Sequence, residues 1–191
     1  EATMMALNNV HGMAQILRFQ GERDQAISQY RSLYQEIIKH FRDRRDNESR
    51  DSNYRQTKAR LAEQLVNALE QMGDCSLFCY PTDAAEAADD YRRAIRTCGF
   101  LPVERQKRLE DRIRYKLALS LVLPGSPVHD AEMARLHLMQ IDSDRLPETT
   151  ADEMRIQERG IKLCSRLTKL LLAIDTWKMQ LASSSSQPAA E

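Results

Sequence analysis

Residues 6–41 read ALNNVHGMAQILRFQGERDQAISQYRSLYQEIIKHF, and this stretch decides the fold. In its second half Ala26, Ile27, Tyr30, Leu33, Tyr34, Ile37, Ile38 and Phe41 recur at spacings of one, three and four, which lays a broad apolar stripe along one helix face. A stripe that wide needs a cover, and the first half supplies one through Val10, Met13, Ala14 and Leu17. Gly21 interrupts the pattern where the chain must reverse. The unit predicted is a helix, a turn and a return helix.

A chain of 191 residues can bury roughly 70% of its unfolded surface, so neither metal nor disulfide is required to hold it. Lys plus Arg equals Asp plus Glu at 28 each, which leaves no net field to draw nucleic acid or an anionic membrane. Abundant Ala, Leu, Glu, Gln, Arg and Met, with only six Gly and six Pro, predict an all-α protein. No apolar run approaches the roughly 18 residues of a membrane span, so no direct span is expected. The opening at Glu1, without Met or a signal-type segment, suggests a piece of a larger or processed protein. Compartment, cytoplasmic or periplasmic, and oligomeric state stay open.

Working outward, helices are expected over about 3–19 and 22–45, with the mixed charges of Arg42 to Asp51 read as a solvated end rather than a basic patch. Asn47-Glu48-Ser49 matches a glycosylation triplet but carries little weight without a secretory context. A third helix, about 53–72, places Leu61, Ala62, Leu65, Val66, Leu69 and Met72 on one face, with Gly73 expected to close it. The stretch CSLFCYPTD then reads as a loop, with Thr82 or Asp83 capping a fourth helix that runs to Cys98. Further helices are expected over about 103–123, after Pro102, and 128–141, after Pro124-Gly125-Ser126-Pro127. The loop DSDRLPETT leads, with Thr149 or Thr150 as cap, into a long last helix over about 151–181. Its stripe is Met154, Ile161, Cys164, Leu167, Leu171, Ile174 and Trp177, with Arg155, Glu158, Arg166 and Lys178 facing away. The expected organisation is one domain, 1–182, of helix pairs at about 3–45, 53–98 and 103–141 with a capping helix at 151–182, followed by a disordered tail, 183–191.

Three of these pairs share one pattern. Ala26, Tyr30 and Leu33 match Ala87, Tyr91 and Ala94, and more weakly Ala131, Arg135 and Leu138. Upstream, Met13-Ala14, Leu17 and Gly21 match Leu65-Val66, Leu69 and Gly73, then Leu117-Ala118, Leu121 and Gly125. Over residues 6–139 the chain thus resembles the tetratricopeptide repeat family. The second unit fits with CSLFCYPTD as an insertion, the third has Arg114 where a large apolar residue is usual, and none carries the closing proline. The resemblance implies a right-handed α-solenoid fragment that binds a peptide or helix of another protein on its concave face. It implies groove positions at Asn8, His11, Gln15 and Arg18, at Arg60, Glu63, Asn67 and Gln71, and at Arg112 and Tyr115. A separate segment, LALSLVLPGSPVHDAEMARLHL with the later LTKLLLAI, is similar to helical envelope lipoproteins of proteobacteria that accompany sensor kinases. It implies the alternative of an envelope-associated regulatory subunit.

An arginine in each groove set suits a carboxylate ligand, although exposed helix arginines more often only solvate. Cys75, Cys79, Cys98 and Cys164, with His129 or His137 near in sequence, lack metal-site spacing, and buried thiols are preferred over a disulfide and a disulfide over a metal. Leu77, Phe78 and Tyr80 either form a protruding partner contact or tuck onto neighbouring helices. There is no nucleophile elbow, phosphate-cradling glycine loop or H-E-x-x-H, and Trp177 and the methionines read as core filler. The expectation is a non-enzymatic scaffold without cofactor.

Overall fold

The structure is a computed structural model that describes residues 2–45, 52–141 and 152–185, with side chains over 5–42, 56–141 and 162–183. Among the described residues it is all-α. Seven helices follow in order: α1 (Ala2–Phe19), α2 (Arg23–Arg45), α3 (Ser52–Phe78), α4 (Ala84–Cys98), α5 (Val103–Val122), α6 (Ala131–Met139) and α7 (Asp152–Ser185). From α1 to α6 each helix packs on the next, and α7 lies chiefly against α5 with a smaller contact to α6. One continuous apolar core draws residues from all seven, from Leu7 on α1 to Leu172 on α7.

The first hairpin forms for the reason its sequence suggests. Gly21 has φ +80°, its N–H donates to Arg18 C=O at 3.1 Å, and Glu22 N–H donates to Leu17 C=O at 2.9 Å. That paired arrangement closes a helix through a left-handed residue, a conformation glycine adopts without a Cβ clash. Ala26, Tyr30, Leu33 and Ile37 are then buried against α1 and α3. In the second pair Ala87, Tyr91 and Ala94 are fully buried, whereas in the third Arg135 is exposed and Ala131 and Leu138 are half-buried.

The third helix departs from the sequence reading at Gly73, which does not end it. The helix runs on through Gly73 to Phe78, and a Cβ on Gly73 would stand 2.6 Å from Tyr91 Cε1. The glycine is there because α4 presses the Tyr91 ring onto the α3 backbone. CSLFCYPTD is accordingly not a loop throughout: its first four residues are the last turn of α3, and residues 79–83 alone connect to α4. Asp83 caps α4, its carboxylate accepting from Glu86 N–H at 2.9 Å. The sixth helix starts later than expected because Asp130 caps it, accepting from Met133 N–H at 2.9 Å.

The last helix also differs. Cys164, Thr168 and Leu172 face inward with Leu171 half-buried, and Leu167, Ile174 and Trp177 of the expected stripe are exposed. Apolar residues cover too wide an arc of α7 for the single flank it lays on α5. Ser183 to Ser185 continue α7 rather than starting the tail. The rest of the tail, the 46–51 charge run with its glycosylation triplet and the 142–151 loop with Thr149 and Thr150 lie outside the described residues, as do the side chains of Met154, Arg155, Glu158 and Ile161.

Candidate functional site

Alternate helices meet through polar side chains along one face. Residues 67, 70, 71 and 74 share a face of α3, because three- and four-residue steps stack side chains, and residues 112 and 116 do the same on α5. Lys116 Nζ donates to Glu70 Oε1 at 2.7 Å and to both Asp74 oxygens at 2.8 Å. Arg112 Nη2 reaches Asn67 Oδ1 at 3.3 Å and pairs with Glu70. From α1, Arg18 donates to Gln71 and stands 3.4 Å from Asp74 Oδ2. From α4, Tyr91 O–H donates to Asp74 Oδ1 at 2.8 Å.

Three cations therefore surround two carboxylates that are almost entirely buried, Glu70 at 2% and Asp74 at 4% exposure. Burial alone would push the Glu70 carboxyl up, but Lys116 and Arg112 overcome it and hold Glu70 below the usual carboxylate range. Burial alone would likewise depress Lys116, and Asp74 and Glu70 hold it above the ordinary lysine value. Both charged forms are thus favoured. Cys75 lies beside this cluster, its thiol pushed up to about 12 chiefly by burial, so it is protonated and a poor nucleophile at neutral pH. A network whose acids and bases already hold one another fixes helix positions; it has little capacity left to exchange protons with a substrate.

Of the groove residues that the resemblance implies, Asn8, Arg18, Glu63, Asn67, Gln71 and Arg112 make contacts between α1, α3 and α5. Asn8 Oδ1 accepts from Gln64 Nε2 at 3.0 Å, and Glu63 Oε2 accepts from Arg105 at 2.9 Å. His11 stands edge-on to Tyr30, ring centroids 5.7 Å apart, and burial holds its imidazole below the ordinary histidine value. Gln15 and Arg60 are exposed, and Asn67, Arg18 and Arg112 belong to the charged cluster. Tyr115 lies apart from them, buried with Ile141 and Leu138.

No protein-family model, curated protein or solved structure matches the chain.

At the end of α3 Leu77 is buried and Phe78 about half exposed, and Tyr80 beyond it is exposed at 91%, so the apolar triplet splits between tucking in and projecting. All four cysteines are free thiols, and burial raises Cys98 to about 12 and also lifts Cys164. Among the described residues no group of three His, Cys, Asp or Glu side chains is placed to hold a metal, and no helix is long and apolar enough to cross a membrane. Sequence reasoning missed Glu70, Asp74 and Lys116. Their signal was the matching four-residue spacing of charge, acidic on α3 at Glu70 and Asp74 and basic on α5 at Arg112 and Lys116. A second cluster, also missed, gathers at Glu86 on α4, which accepts from Arg23 at 3.0 Å, Arg31 at 2.6 Å and Ser76 at 3.1 Å.

Proposed function

We propose that the chain is a tetratricopeptide-like array of helix pairs, acting as a non-enzymatic interaction module that binds a peptide or helix of a partner protein across the face built from α1, α3 and α5. One observation carries the reading: these alternate helices are linked side by side, Asn8 to Gln64, Arg18 to Asp74, Glu63 to Arg105 and Arg112 to Asn67. Stacked hairpins put their first helices together as one wall and their second helices behind it, and the shared wall is the surface open to a ligand. The charged cluster serves as the wall's fastening. Its arginines are engaged by Glu70 and Asp74, so carboxylate recognition falls to the exposed Arg60 at the wall's edge, with Asn8 and Gln15 supplying amide contacts to an extended backbone.

The test begins with recovery of the partner from the native source, its identification by mass spectrometry and reconstitution of the pair from purified components. Gln15→Glu combined with Arg60→Glu is expected to weaken that complex at least tenfold while leaving the thermal midpoint unchanged. Undiminished binding by this double variant, or steady turnover of a small molecule by the purified chain alone, overturns the reading.

A further inference from the structure

On α7 six apolar side chains point away from the body: Leu163, Leu167, Leu170, Ile174, Trp177 and Leu181, each between 37 and 66% exposed. Their steps are four, three, four, three and four, the narrow heptad seam by which one helix receives another. At 1.5 Å per residue the seam extends about 27 Å. The helix cannot turn it inward, because the adjacent face is already committed: Cys164, Thr168 and Leu172 are buried, His129 Nε2 stands 2.9 Å from Asp175, and Arg135 donates to Thr176 at 3.0 Å.

Charge selects the occupant. Arg166 and Lys178 are exposed beside the seam, and Asp175, turned toward His129, is the one acid between residues 162 and 183. A second copy of α7 would bring no acid to meet them, since its Asp175 is turned toward His129. A lipid surface would be met by a broad apolar arc rather than by a seam one side chain wide at each level. We propose that the outer face of α7 pairs with an amphipathic helix of a partner protein whose apolar heptad seam is flanked by Asp and Glu. Arg166 immediately precedes Leu167 and Lys178 immediately follows Trp177, the flanking positions at which opposite charges select a helical partner. This surface is separate from the α1, α3 and α5 wall and stands whether or not that wall binds a peptide.

Trp177 is the sole tryptophan of the chain and sits in the seam, so its emission reports the pairing directly. The full chain is titrated with a synthetic three-heptad peptide bearing Leu and Ile in the seam and Glu at the flanks, with the same peptide carrying Lys at the flanks, and with phosphatidylserine-containing vesicles. The expected result is a saturable blue shift with the Glu-flanked peptide only, weakened at least tenfold by Leu170→Lys and by Arg166→Glu. Each variant's melting curve checks that it folds, and Gln15→Glu with Arg60→Glu leaves the shift intact. A shift with vesicles and not with the Glu-flanked peptide overturns the proposal in favour of a membrane surface. Sedimentation of the chain alone as a dimer that Leu170→Lys dissociates overturns it in favour of a second copy. No shift with any probe, or equal binding of the two peptides, also overturns it.

Discussion

The inner wall of α3 and α5 and the outer face of α7 solve opposite problems with the same helix periodicity. On the wall, residues four apart are charged on α3 and on α5, and each meets its complement on the other helix. On α7, residues three and four apart are apolar, and the seam they form is between 37 and 66% exposed. The first surface is expensive to disturb and chemically closed; the second costs little to disturb and is open. The charged cluster and the exposed seam therefore use different side chains, and substitutions should separate their effects.

The most severe break is expected at Lys116→Met, which leaves Glu70 and Asp74 facing each other in a buried site without their ammonium. Removing one partner of such a cluster costs about 3–5 kcal/mol, readable from urea unfolding. The same cluster sets the pH profile. Glu70 titrates below the ordinary carboxyl value of 4.5 when folded, so its contribution is present above that pH and is lost as pH falls through the folded value. Lys116 titrates above the ordinary lysine value of 10.5, so its contribution is present below that pH and is lost as pH rises through the folded value. Urea midpoints should fall at both extremes in the parent chain, and Lys116→Met should flatten the alkaline limb. Midpoints of the parent that are level from pH 3 to 6 would mean the cluster does not fasten the wall.

Next in size is Gly73→Ala. The added methyl would meet the ring of a fully buried Tyr91 whose hydroxyl is tied to Asp74, and overpacking of that kind costs about 1–3 kcal/mol. A neutral result by thermal melting would show that α3 and α4 are not in close approach there. Asp90→Asn should act in the opposite direction. Burial raises the Asp90 carboxyl to about 6, against the partial relief of Arg93 at 3.2 Å. A raised carboxyl favours folding below its unfolded value and opposes it as pH passes about 6. The substitution is expected to stabilise by about 1–2 kcal/mol at pH 7.5, and the gain should fade by pH 4. Smallest is Leu170→Lys on α7, which should move stability by less than about 0.5 kcal/mol; a large loss would mean the seam is covered by the chain itself.

Much of the helical order was readable from local signals. The stripe from Ala26 to Phe41, the stop at Gly21 and the cap at Asp83 each rest on contacts within a few residues, and each survives in the structure. Gly73 was misread because glycine has two uses: it accepts a left-handed backbone at Gly21, and at position 73 it gives room for a ring arriving from another helix. Local pattern supplies both with the same letter. The mixed fate of the groove residues has a related origin. Periodicity places Arg18, Asn67 and Arg112 on one side of their helices, but whether those groups face solvent or a carboxylate depends on which helix lies next to them.

Sequence by itself determined that the chain is helical, where most helices begin and end, and which faces are apolar, since those properties come from backbone bonding and side-chain periods inside one segment. Tertiary structure alone decided which polar groups were to be spent on holding α1, α3 and α5 together and which apolar groups on α7 were to remain at the surface. Burial is a property of pairs of segments: Glu70 is a core residue only because Lys116 and Arg112 reach it, and Trp177 is a surface residue only because α7 lays a different flank on α5.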